Sequence, residues 1–148
     1  VKKILLVCSG NTCRSPMAKI IMEQLLKNAN IHNIAVESAG LYTTNGLPAS
    51  EAAQIVMQEM GMDISTHTSQ VVNEELMTEA DLILAMTREH RRFLTGLFPQ
   101  KKHQIFTLGE FIGQPELDIE DPYGLGLEAY RKSVQQLKEI LTVVMNFL

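Results

Sequence analysis

Ile4-Leu5-Leu6-Val7 is an unbroken apolar run that stops at a polar octapeptide, Cys8-Ser9-Gly10-Asn11-Thr12-Cys13-Arg14-Ser15. Apolar residues then resume with a different repeat. A short apolar run bounded by polar residues reads as a buried strand. Ser15-Pro16 suits a helix N-cap and first turn. Ala18, Ile21, Met22, Leu25, Leu26 and Ala29 follow at the spacing of one helical face. Strand, tight polar loop and helix in that order are the opening of a parallel α/β sheet.

The rest of the chain repeats the alternation. Ile34 to Glu37 is a second short strand, ended by Ser38-Ala39-Gly40, and a loop-like stretch runs from Leu41 to Pro48. A helix is expected from about Ser50 to Met60, with Ala52, Ile55, Val56 and Met60 inward and Gly61 as its stop. Asn73-Glu74-Glu75 opens a short helix leading to a third strand, Asp81-Leu82-Ile83-Leu84-Ala85. Thr87 caps a further helix to about Leu97, and Gln104 to Thr107 is a fourth strand. Ile112 to Gly124 has neither helical nor strand period, and a long loop in so small a domain is more often functional than idle. Leu127, Tyr130, Val134, Leu137, Leu141, Val144 and Leu148 form the stripe of a last helix. The expected fold is α/β: a single domain over residues 1–148 with a four-stranded parallel sheet and helices on both faces.

Composition narrows the function. A chain of 148 residues buries roughly two thirds of its unfolded surface and needs no disulfide or metal staple. A net charge of −4 disfavours bulk attraction to nucleic acid or anionic membrane. Two cysteines, Cys8 and Cys13, make neither a disulfide framework nor a four-thiolate zinc site, and their spacing is not that of a C-x-x-C redox pair. The first apolar run is too short for a signal-peptide core or a membrane span, so a cytoplasmic chain with reduced thiols is expected. His32, His90 and His103 show no metal spacing. The expectation is no metal, no cofactor, no nucleic-acid or membrane partner, and a monomer.

Ligands of parallel sheets bind at the carboxyl ends of the strands, which places chemistry in the Cys8–Ser15 loop. Its pattern is Cys, five residues, Arg, then a hydroxyl at a helix N-terminus. Helix N-termini bind phosphate-like anions through unpaired N–H groups. Gly10 permits the tight turn that lets successive N–H groups, from Ser9 through Thr12 and Cys13, converge into a nest. Arg14 forks two donors onto two oxyanion atoms. Cys8 sits at the centre, where the same positive field lowers a thiol pKa from about 8.5, and Ser15 donates its hydroxyl to the sulfur. A thiolate at the base of an anion site points to attack on phosphorus and a phosphocysteine intermediate. A nucleotide-binding loop is a weak rival, because it needs a Lys followed by Ser or Thr after a glycine. Cys13 is either a packed thiol or a redox partner that shields Cys8 as a reversible disulfide.

A proton donor is also required. Among Glu116, Asp118, Glu120 and Asp121, Asp121 stands out because Pro122 confines it to extended backbone and fixes its direction. Tyr123 forms an aromatic wall beside it. Asp118 is the second choice, expected instead as an internal cap of the loop. His67 reads as a hydrogen-bonded structural histidine, and Arg88, Arg91 and Arg92 as an exposed helical face.

Together these residues resemble the low-molecular-weight protein tyrosine phosphatase family. The resemblance is carried by Val7 to Pro16, Ser38-Ala39-Gly40, the Asp81 strand and Asp121-Pro122-Tyr123. It implies a four-stranded parallel sheet, no metal, Cys8 as nucleophile, Arg14 as phosphate clamp, Asp121 as acid and then base, and Asn11 bracing the loop through its side chain. Thr12 stands where tyrosine-directed members usually carry Ile. With Ala85-Met86-Thr87, it is similar to the bacterial branch of protein arginine phosphatases. The substrate classes implied are phosphoarginine proteins or, as the alternative, phosphotyrosine proteins. A more remote alternative is an arsenate reductase, whose thioredoxin-coupled forms need two further cysteines that this chain lacks.

Overall fold

The computed structural model describes residues 1–148. β1 (Lys3–Cys8) is buried from Ile4 to its end and pairs in parallel with β2 (Ala35–Gly40) on one side. On its other side it pairs in parallel with β3 (Leu82–Ala85), which in turn pairs with β4 (Ile105–Thr107). The order is β2-β1-β3-β4. Side chains alternate across such a sheet. Ile4, Leu6, Leu82 and Leu84 therefore join the larger apolar cluster, beneath α1 (Arg14–Asn28), α2 (Glu51–Glu59) and α6 (Leu127–Val144). Leu5, Val7, Ile83 and Ala85 join the smaller one, covered by α3 (Glu74–Glu79) and α4 (Arg88–Leu97). Each fully buried Leu or Ile contributes roughly 1.5–3 kcal/mol, so the two layers hold the strand ends in fixed register.

Several boundaries differ from the sequence reading. Ser15-Pro16 is not the cap of α1. The helix starts at Arg14, its N-cap is Cys13 with no side-chain capping bond, and Ser15 and Pro16 lie inside its first turn. Ala29, expected on the inward stripe of α1, is exposed just past the helix end. Ser38-Ala39-Gly40 continues β2 rather than ending it, because all three residues pair with β1, Cys8 opposite Gly40. In α2, Ala53, Val56 and Met57 face inward, Ala52 and Met60 are half-buried and Ile55 is exposed. Its N-cap is Ser50, and Gly61 follows the helix at φ 76°, the left-handed stop expected of it. Asp81 lies just outside β3, where its carboxylate accepts the backbone N–H groups of Lys2 and Lys3, and Gln104 belongs to the 3₁₀ turn Pro99–Gln104 before β4. A short α5 (Leu108–Phe111), closed by a Thr107–Glu110 capping box, precedes the long loop. Leu127 and Leu148 sit at the exposed edges of the last stripe. No helix is long and apolar enough to cross a membrane.

Candidate active site

The Cys8–Ser15 loop lies where β1 runs between β2 and β3, the point at which connections leave the sheet in opposite directions. Its carbonyls are drawn outward by other segments. Leu41 N donates to Cys8 O (3.0 Å), Tyr42 N to Ser9 O (2.8 Å) and Ser50 N to Thr12 O (2.9 Å). His67 Nε2 donates to Asn11 O at 2.7 Å, which fixes its tautomer. The N–H groups of Ser9, Gly10, Thr12 and Cys13 are left without acceptors in the chain, so the loop is a nest of backbone donors.

The residue that turns the loop is Asn11 rather than Gly10. Asn11 has φ 54°, and Asn tolerates the left-handed region better than most residues. Its fully buried side chain then locks the turn. Nδ2 donates to Ser15 Oγ (2.8 Å) and Ser38 Oγ (2.9 Å), and Oδ1 accepts from Gln70 N (2.9 Å). Gly40 allows this closeness: a Cβ there would stand 2.7 Å from Ser9 O and 3.0 Å from Asn11 N.

Cys8 Sγ is 2.9 Å from Ser15 Oγ and accepts Asn11 N–H at 3.3 Å. The expected depression of its pKa is not met. Burial pushes the thiol up and outweighs the Ser15 hydroxyl, the Arg14 charge and the Ser15 and Asn11 N–H groups, which pull it down. The donors are legible in the sequence, whereas the depth at which they hold the sulfur emerges only from the fold.

Arg14 is buried, and its Nη1 donates to Ile119 O at 2.8 Å. Ile119 N donates to Met86 O (2.9 Å), and Met86 N to Val7 O (3.0 Å). This relay of main-chain bonds ties the long loop to the strand that carries Cys8. It brings Asp121 Oδ2 to 3.7 Å from Arg14 Nη2, with the carboxylate half exposed and its Oδ1 accepting Tyr123 N at 3.1 Å. Asp118 does not cap its own loop. It accepts Arg88 N at 2.9 Å and pairs with the Arg88 guanidinium at 3.3 Å, pinning the loop to the start of α4. Of the other arginines on that face, Arg91 pairs with Glu110 at 3.0 Å.

These groups open into one cleft of about 590 Å³, lined by Cys8, Ser9, Thr12, Arg14, Asp121 and Tyr123 together with Tyr42, Thr43, Thr44 and Leu47. The Tyr42–Leu47 wall escaped the sequence reading, since nothing in a polar loop marks which strand end it folds over. Tyr123 is 70% exposed at the mouth. Cys13 is buried, with its sulfur 3.2 Å from Tyr130 Oη and 3.4 Å from Ser50 Oγ. Burial and the neighbouring Cys13 push the Tyr130 phenol up to about 12. His90, read only for its lack of metal spacing, lies beneath the cleft with Nε2 2.8 Å from Ser9 Oγ. Burial first, then the Arg14 charge, lowers its pKa to about 4.

Comparison with known proteins identifies the family. The family model described as "Low molecular weight phosphotyrosine protein phosphatase" matches residues 3–148. A protein-arginine-phosphatase of Geobacillus stearothermophilus is 37% identical over 94% of this chain and 90% of its own length. The crystal structure of a low molecular weight protein tyrosine phosphatase from T. tengcongensis superposes with a TM-score of 0.95 at 40% identity, covering 100% of both chains. A variant of YwlE arginine phosphatase carrying a phosphorylated active-site serine in place of cysteine does so at 0.94 and 32% identity, covering 99% of this chain and 95% of its own. Matched in sequence and in fold over nearly its whole length, the chain belongs to the low molecular weight phosphotyrosine protein phosphatase family.

Proposed function

We propose that this chain is a cysteine-dependent protein phosphatase that hydrolyses phosphoarginine side chains without a metal. Cys8 attacks phosphorus as the thiolate, with Ser15 O–H and Asn11 N–H turned toward its charge. The nest N–H groups and the Arg14 donors not engaged by Ile119 hold the phosphoryl oxygens. Asp121 protonates the departing nitrogen as the P–N bond breaks and the S–P bond forms. It then takes a proton from the water that hydrolyses the phosphocysteine. A guanidine leaves well only when protonated, so this substrate makes heavy demands on Asp121. The phosphorylated serine in the related arginine phosphatase variant supports a covalent route through the position equivalent to Cys8.

The observation that carries the arginine reading is Thr12 on the cleft wall, its hydroxyl engaged within the chain only by a long 3.8 Å contact to Cys13 Sγ. A hydroxyl can accept from a guanidinium N–H, whereas an aliphatic wall packs on a phenyl ring. The second reading, a phosphotyrosine phosphatase with the same machinery, is favoured by the 40% identity to the T. tengcongensis enzyme. A phenol of pKa about 10 is itself an adequate leaving group.

Paired turnover of a phosphoarginine and a phosphotyrosine peptide by wild type and Thr12→Ile decides between them. The expected result is a wild-type preference for phosphoarginine that falls in Thr12→Ile as phosphotyrosine turnover rises. A wild-type preference for phosphotyrosine left unchanged by Thr12→Ile overturns the arginine reading.

A further inference from the structure

His90 is 5% exposed, yet only one of its ring nitrogens has a partner: Nε2 meets Ser9 Oγ at 2.8 Å, while Nδ1 is buried with none. Ser9 Oγ has no other hydrogen-bond partner and lines the cleft beside Cys8. A neutral imidazole carries one proton, so the pair has two arrangements. With the proton on Nδ1, a buried N–H is orphaned, Ser9 must spend its own proton on Nε2, and its lone pairs face the cleft. With the proton on Nε2, the ring donates to Ser9 and the Ser9 O–H is free to turn outward. Nδ1 is unpartnered in both, a bare donor in the first and a bare acceptor in the second, so its burial does not choose between them. The cleft side does choose: an anion resting on the nest N–H groups would repel lone pairs and attract an O–H. That selects the second arrangement.

We propose that His90, as its Nε2–H tautomer, is a positioning residue that makes Ser9 a side-chain hydrogen-bond donor to the phosphoryl group. This adds one oriented donor to a cradle otherwise built from backbone N–H groups and Arg14. The placement is consistent with a ring held neutral: burial and the nearby Arg14 charge keep its pKa near 4. Thr87, which caps α4 by accepting His90 N–H at 3.1 Å, fixes the backbone from which the ring reaches Ser9. The inference rests on the Cys8–Ser15 loop being a phosphoryl site.

The test combines nitrogen-15 NMR of the histidine rings, with and without saturating inorganic phosphate, and phosphate inhibition constants for a set of variants. The His90 ring in the phosphate complex should show the Nε2–H pattern. Ser9→Ala should weaken phosphate about tenfold, the worth of one hydrogen bond to a charged group. His90→Leu should cost a similar factor in the wild-type background and little more once Ser9 is alanine. His90→Gln, which keeps an N–H near the Nε2 position, should recover most of the loss. An Nδ1–H tautomer in the complex, undiminished phosphate affinity in Ser9→Ala, or fully additive losses would each overturn the assignment. The tautomer is read on wild type, so the proposal stays testable if His90→Leu does not fold. Failure of wild type to bind phosphate at all would instead remove the phosphoryl-site reading beneath it.

Discussion

Ser15 Oγ lies 2.9 Å from Cys8 Sγ, and the direction of that bond is set from the far side, where Asn11 Nδ2 donates to the same oxygen at 2.8 Å. With its acceptor side engaged, the Ser15 hydroxyl directs its proton at sulfur. Ser15→Ala should therefore push the already raised Cys8 thiol higher still. Because the thiolate fraction falls as the pKa rises, the pH profile of iodoacetamide alkylation should move to higher pH. An unmoved or lowered profile would show that the hydroxyl does not stabilise the thiolate.

Asn11 joins three segments through one buried amide. Asn11→Ala removes three hydrogen bonds, strands partners in the interior and leaves alanine at φ 54°. A loss of roughly 2–4 kcal/mol in urea unfolding is expected, together with loss of most turnover. A variant within about 0.5 kcal/mol of wild type would mean that water replaces the amide without penalty.

Asp121→Asn keeps the size of the side chain but removes its proton chemistry. On a phosphoarginine peptide kcat should drop by about 10²–10⁴, while phosphate inhibition stays near the wild-type value. The deficit should shrink on an aryl phosphate whose phenolate leaves without help. Equal deficits on both substrates would remove Asp121 from the role of general acid.

His90 also bears on stability. Its folded pKa of about 4 lies below the ordinary 6.5, so the unfolded chain binds the extra proton and stability is lost as pH falls from about 6.5 through 4. The full difference corresponds to about 3 kcal/mol. Unfolding free energies measured across that window should fall less steeply in His90→Gln than in wild type. Parallel curves would refute the linkage.

Cys13 and Cys8 flank the nest, and we expect peroxide to oxidise the two thiols to a disulfide, releasing water. Mass spectrometry of peroxide-treated wild type should find that bond, and a thiol reductant should restore activity. In Cys13→Ser, Cys8 should pass to higher oxides that the reductant cannot reverse. Equal recovery in both proteins would leave Cys13 as a packed thiol held by Tyr130 and Ser50.

What could be read before folding was whatever is local. The apolar run of β1, the helical period of α1 and the Cys-x₅-Arg-Ser spacing were legible because each depends on neighbours in the chain. Gly10 was the natural choice for the turn on propensity, yet Asn11 takes it, since only a side chain can also reach Ser38 and Gln70. Ser38-Ala39-Gly40 read as a strand end because its composition is weak, and pairing with β1 overrides that. The direction of the Cys8 shift, the Asp118 link to Arg88 and the His90–Ser9 contact all depend on groups brought together across tens of residues. No pattern along the chain marks them.

The outward-drawn carbonyls of the Cys8–Ser15 loop have a consequence for how such a site tolerates change. Three of the four ties come from main-chain N–H groups, those of Leu41, Tyr42 and Ser50, which nineteen amino acids supply equally and proline alone does not. The shape of the anion cradle is thus insulated from side-chain drift at those supporting positions. The side chain at position 42, which also lines the cleft, can vary while the loop geometry stays put.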